Sequence, residues 1–213
     1  MNFILLGLIA VTGLISYQGF NDSYFFKKFQ FHVGSIRAGE QFRMISSGFL
    51  HADWMHFIFN MYSLYMFAPV VISYLGNFSF LAVYFLSLIS GSLLTLFFKH
   101  NQFSYTAIGA SGAVTGIIYA AILLEPSMNL YLFFIPIPIP AYVFGIGYLL
   151  YSIYGMKAQN DNIGHTAHFG GAIGGFVFVL AKFPYMFVDN TFMIILLAIP
   201  ILILFVMTQQ GKI

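Results

Sequence analysis

The chain has 213 residues, of which 60% are hydrophobic and 7% charged, and its formal net charge is +2. Ordinary soluble domains carry about 25% charged residues, so this composition excludes a water-soluble globule and points to a chain solvated by lipid. Too few charges remain for a nucleic-acid surface, and with no cysteine disulfides, thiol catalysis and Cys-ligated zinc are excluded.

A helix needs about 20 apolar residues to cross a hydrocarbon core about 30 Å thick. Apolar runs separated by polar or Gly/Pro breaks predict seven spans, at 2–19, 55–75, 78–98, 110–125, 130–153, 165–183 and 190–208. Lipid leaves backbone groups no partner outside the segment, so runs this long are helices. The predicted fold is all-α, a polytopic transmembrane bundle forming one membrane domain over 1–213. The stretch Met1 to Gly19 has no basic n-region and reads as a first span rather than a signal peptide.

The first connection, Asn21 to Trp54, is long enough to carry structure of its own. It interleaves Phe20, Tyr24, Phe25, Phe26, Phe29, Phe31 and Phe42 with Lys27, Lys28, Arg37 and Arg43, as a segment lying at the interface does. Further along, Gly76-Asn77 predicts a tight turn and Glu125-Pro126-Ser127 a stop. Pro136, Pro138 and Pro140 predict an extended or distorted start to the fifth span. Counted by span, Lys27, Lys28, Arg37, Arg43, Lys99, Lys157 and Lys212 share the side of the first loop, and Lys182 stands opposite. The positive-inside rule places that loop in the cytoplasm.

Polar side chains inside spans are expensive and mark candidate function. Three clusters stand out: His51, Asp53, His56 and Asn60 at the second span; Gly109-Ala110-Ser111-Gly112 at the fourth; Gly164-His165-Thr166-Ala167-His168, followed by Gly170, Gly171, Gly174 and Gly175, at the sixth. Even-numbered spans run the same way, so the clusters share one depth. His56 and Asn60 share a helix face, as do His168, Gly171 and Gly175, whose small size lets the sixth helix pack closely. Serine needs an adjacent base to act as a nucleophile, and a neutral imidazole supplies one. Attack on a carbonyl also needs oxyanion donors, which Asn60, His56 and the Ser111 backbone N–H could supply. Plain helix packing at the glycines and structural roles for the histidines and Asn60 are the competing readings. Paired intramembrane aspartates and a His-Glu-x-x-His motif are absent. A metal held by His165 and His168 with His51 or His56 is the weaker alternative, and neither metal nor cofactor is assigned.

The ordered set His51, His56, Asn60, then Gly109-Ala110-Ser111-Gly112, then Ala167-His168 with Gly171 and Gly175, resembles the rhomboid family of intramembrane serine proteases, from about Glu40 to Ala181. The resemblance implies a core of six helices over about 2–183, with an extra C-terminal helix at about 190–208. It implies Ser111 as nucleophile, His168 as general base without an acidic third member, and His56, Asn60 and Gly109 at the oxyanion and substrate site. It also implies single-span or polytopic membrane proteins as substrates, a bacterial inner membrane as location, and a catalytic end facing the extracytoplasmic side, against the charge count above. No nucleic-acid partner is implied. A catalytically inactive membrane-segment binder and a small transporter are the rivals. The family's Trp-Arg pair reads Phe42-Arg43 here. Thr115 stands where the family commonly stacks an aromatic ring on the base, which leaves the imidazole to be oriented by another group. The fifth span, with Phe144, Gly145, Gly147 and Tyr148 and the loop Gly155 to Gly164, is the implied gate. Trimming Phe144 or Tyr148 is expected to raise activity. Asp161 and Asp53 are expected to be loop charges, and cleavage to be slow.

Overall fold

The computed structural model describes residues 2–131, 137–158 and 164–212. Ten α-helices carry the described chain: α1 (Phe3–Asn21), α2 (Ser23–Phe29), α3 (Val33–Arg37), α4 (Arg43–Ser46), α5 (Trp54–Lys99), α6 (Ser111–Leu124), α7 (Ala141–Ala158), α8 (His165–Lys182), α9 (Met186–Asp189) and α10 (Thr191–Gln209). Two-residue strands add β1 (Phe31–His32) against β2 (Thr106–Ala107) and β3 (Asn129–Leu130) against β4 (Ile139–Pro140), both antiparallel. The all-α helical membrane bundle expected from composition is the observed architecture.

Among the described residues, three helices are long and apolar enough to cross a membrane by length and composition: α1, α5 and α10. The 46-residue α5 is broken at Gly76, where φ is +78° and ψ 169°. Only a residue without a Cβ takes that conformation at no cost, so the expected turn at Gly76-Asn77 divides α5 into the predicted second and third spans. Asn77 Oδ1 accepts a hydrogen bond from Asn2 Nδ2 at 2.6 Å, tying the start of α1 to the hairpin tip. Large side chains such as Phe3, Leu14, Phe78 and Phe192 point outward, as a surface wetted by lipid tails permits.

The predicted fourth span is the 14-residue α6, in which every residue from Gly112 to Leu124 is buried. At 1.5 Å per residue it is about 21 Å long, short of a bilayer core, and it lies inside a shell of other helices. Its neighbours α5 and α8 form with it the densest part of the molecule. Glycine builds that contact. A Cβ on Gly171 would stand 1.9 Å from the Gly112 carbonyl oxygen, one on Gly175 2.0 Å from that of Gly116, and one on Gly170 2.3 Å from that of Ser90. The α6 and α8 backbones therefore touch directly, as the spacing from His168 predicts.

The fifth span differs from expectation. Predicted at 130–153, its helix begins at Ala141, because the chain first turns through β3 and β4, where Ile139 and Pro140 are extended. Pro136 and Asp161 lie outside the described residues, as does part of the Gly155 to Gly164 loop. The long first connection folds into α2, α3, α4 and a 3-10 turn at Ser47–Phe49. Its small core of Phe31, Val33 and Ile36 is joined by Met44, Leu96 and Tyr105. Arg43 is buried beneath it. Its guanidinium donates to Glu40 at 2.5 Å and to the carbonyls of Lys27 at 2.8 Å and Gln30 at 3.1 Å, while Phe42 packs on Phe29. The arginine thus works as an internal staple for the loop.

Candidate active site

Ser111 is the first residue of α6, and its N-cap Ala110 offers no side-chain hydrogen bond. The first N–H groups of a helix have no intrahelical acceptor and carry the positive end of its dipole, so Ser111 sits among donors aimed at the space before it. His168 lies one turn into α8 and is 3% exposed. The glycine contact between α6 and α8 brings the Ser111 hydroxyl to 2.9 Å from His168 Nε2. Serine and histidine from separate spans thus meet as expected.

His56 and Asn60 occupy the first two turns of α5, whose N-cap Asp53 accepts a hydrogen bond from the His56 N–H at 2.8 Å. Asp53 is a capping residue. The Ala52 N–H donates to His56 Nδ1 at 3.4 Å, which leaves the ring proton on Nε2. That nitrogen faces Gly109, where a Cβ would lie 2.8 Å from it. Gly109 has φ +116°, a second reason for glycine. Its own N–H donates to the Ser47 carbonyl at 3.0 Å, so Gly109 serves the site by giving His56 room rather than as a donor. Asn60 is 7% exposed and donates one amide hydrogen to the His56 carbonyl at 2.9 Å, which keeps its second amide hydrogen for the cavity. His56, Asn60, Ser111 and His168 all line one cavity of about 910 Å³, walled also by Phe59, Ile118 and Phe144.

His51 stands apart from this cavity. It lies in the connection before α5, fully buried, with Nδ1 2.9 Å from the Ser16 hydroxyl and Nε2 accepting from the Ala110 N–H at 3.4 Å. Burial, helped by the neighbouring His56, pushes its imidazole down to about 3, against a smaller opposing pull from Asp53. It is a neutral brace between α1 and the turn that presents Ser111.

The group that orients His168 comes from α7. The Tyr148 ring stacks on the imidazole with centroids 5.0 Å apart at 30°, and its hydroxyl is 3.2 Å from Nε2. The Ser152 hydroxyl, fully buried, is 3.2 Å from Nδ1. Thr115, at the position expected to stack, bonds its own helix through the Ser111 carbonyl at 2.7 Å. Sequence reasoning missed Ser152. The available signal was a lone serine inside an apolar span, one turn after a tyrosine. Phe144 does meet the second span, its ring stacking 6.4 Å from that of Phe67, whereas Tyr148 packs on the His168 imidazole. The two side chains expected to form the gate thus meet different neighbours.

A rhomboid domain model matches residues 38–185. The chain is 29% identical over 186 residues to the "RHOMBOID-like protein 12, mitochondrial" of Arabidopsis thaliana, covering 79% of this chain and 55% of that protein. It is 33% identical over 147 residues to the "Putative rhomboid protease YdcA" of Bacillus subtilis, covering 67% of each. To the "Presenilin-associated rhomboid-like protein, mitochondrial" of Rattus norvegicus it is 29% identical over 142 residues, covering 64% of this chain and 37% of that one. It spans 55% and 40% of the first two curated relatives it matches. With most of its helical core inside the matched region, this multi-pass membrane protein belongs to the rhomboid family.

Proposed function

We propose that the chain is an intramembrane serine endopeptidase, cutting peptide bonds in or next to transmembrane segments of single-span or polytopic membrane proteins. The observation that carries this is the 2.9 Å approach of the Ser111 hydroxyl to His168 Nε2, held by two helices whose backbones touch. His168 Nε2 takes the Ser111 proton as Oγ bonds the scissile carbonyl carbon. The negative charge then on the carbonyl oxygen is met by the Asn60 amide, the His56 Nε2–H and the free N–H groups at the start of α6. One such donor is worth about 2.7–4 kcal/mol of barrier. The Nε2 proton passes to the departing amine nitrogen, leaving an ester on Ser111. Water adds to that ester, gives its proton to Nε2, and the Ser111 Oγ recovers it as the acid product leaves.

A helical substrate buries its own carbonyls, so the cleaved segment enters extended, and the apolar wall of Phe59, Ile118 and Phe144 receives its side chains. We place the protein in a bacterial inner membrane as one domain over 1–213, with the cavity opening on the extracytoplasmic side. The test is purified protein in liposomes, exposed to a fluorophosphonate and to a tagged single-span substrate. Wild type is expected to label and to cleave, while Ser111→Ala and His168→Ala keep the thermal transition and lose both signals. A folded wild type that neither labels nor cleaves would overturn the proposal in favour of a segment-binding protein.

A further inference from the structure

Tyr148 and Ser152 are four residues apart on α7 and share one face. The same face continues to Gly155, where a Cβ would stand 1.9 Å from His165 Nε2. Both side chains end on His168, one against its ring and the other at Nδ1. The stack also runs the other way, since Tyr148 lies 6.1 Å and 11° from Phe144, which in turn stacks on Phe67 of α5. A file of rings thus leads from the second span to the base.

Given the Ser111–His168 dyad proposed above, on which this rests, we infer that α7 holds the base in working order, with Ser152 as the neutral acceptor for Nδ1–H and Tyr148 as the platform for the ring. For Nε2 to accept the Ser111 proton, the neutral imidazole must carry its own proton on Nδ1. A hydroxyl oxygen at Nδ1 selects that tautomer, and its hydrogen bond becomes charge-assisted once the imidazolium forms. In a triad a carboxylate occupies this place and does the same orienting work with a full charge. Ser152 neither gives nor takes a proton.

The position of these two residues couples chemistry to helix movement. The central trio of α5, α6 and α8 is locked by backbone contact. In contrast, α7 leans on it through side chains, with Gly145 against Ile122 and the Tyr119 hydroxyl donating to the Gly145 carbonyl at 3.2 Å. A shift of α7 away from α8 removes the stacking ring and the Nδ1 acceptor together. The site is therefore armed only while α7 is seated, and a substrate admitted by its displacement meets a disarmed base until the helix returns.

Four variants in liposomes test this: Ser152→Ala, Ser152→Thr, Tyr148→Leu and Tyr148→Phe. We expect Ser152→Ala and Tyr148→Leu to lower kcat about tenfold or more with KM within about twofold, while Ser152→Thr and Tyr148→Phe recover most of it. A wild-type kcat in Ser152→Ala, or a loss that Ser152→Thr fails to repair, would overturn the role of Ser152. A second reading does not depend on turnover: nitrogen NMR of protein labelled with ¹⁵N-histidine, with the His168 signal assigned through His168→Gln. The Nδ1–H tautomer in wild type and its loss in Ser152→Ala support the inference, whereas an Nε2–H tautomer in wild type sinks it. If the tautomer is as expected but the wild type neither labels nor cleaves, the protease proposal has failed while the positioning of the ring stands.

Discussion

Asn60 spends one amide hydrogen on the helix backbone and keeps the other for the cavity, so its contribution belongs to the moment when negative charge forms there. Asn60→Ala should therefore lower kcat about 10²–10³-fold with little change in KM. A variant that loses only affinity would make Asn60 a docking residue. His51 makes a different prediction, because it is held neutral with its ionisation lowered to about 3 by burial. An unfolded histidine titrates near 6.5, so below that pH the unfolded chain binds a proton that the folded one refuses. Stability is thus fully present above about pH 6.5 and is lost progressively down to about pH 3. The thermal transition of wild type should fall more steeply from pH 7 to 4 than that of His51→Gln. Parallel slopes would show that His51 is not the group responsible. At this scale the sequence betrayed residues whose burial in lipid is expensive, such as His56, Asn60 and His168, since only function or a specific partner justifies them. Ser152 escaped notice because one hydroxyl in an apolar helix costs little, and its partner lies 16 residues away on another element.

Among the elements, the α6–α8 contact and the α5–α7 contact have opposite characters. The first is backbone on backbone, and a Gly171 methyl would fall 1.9 Å from the Gly112 carbonyl oxygen. Gly171→Ala should cost about 1–3 kcal/mol or more of stability, as overpacking does, and should abolish labelling of Ser111 by parting it from His168. Unchanged thermal unfolding in detergent would refute the tight contact. The second contact is ring on ring, between Phe67 and Phe144. Phe144→Ala should widen the entry between α5 and α7 while Tyr148 and Ser152 keep α7 seated on His168, and raise cleavage of a membrane-embedded substrate about two- to fivefold. No rise, with the fold intact, would count against α7 as the gate. Hydropathy located most of these helices within a residue or two. It misplaced the start of α7, because the apolar run from Leu130 onward continues through a strand pair before the helix begins. It also left α2, α3 and α4 unseen, because their stability comes from Arg43 and a small apolar core rather than from periodic pattern.

For the molecule as a whole, the shared depth of three polar clusters was legible from span direction alone, and the cavity that joins them follows from it. The close packing that brings Ser111 to His168 was legible only as glycine spacing. What no pattern announced was that α6, read as one span among seven, is shorter than the bilayer core and is buried within the protein from Gly112 to Leu124. This has a consequence for biosynthesis. Left among lipids at about 21 Å, such a helix leaves its ends short of either headgroup layer, so it is committed to its place only when α8, made later, closes over it. Chains truncated before His165 should therefore keep the 101–110 segment open to protease attack, and Ser111 is among the last groups of the nascent protein to be secured.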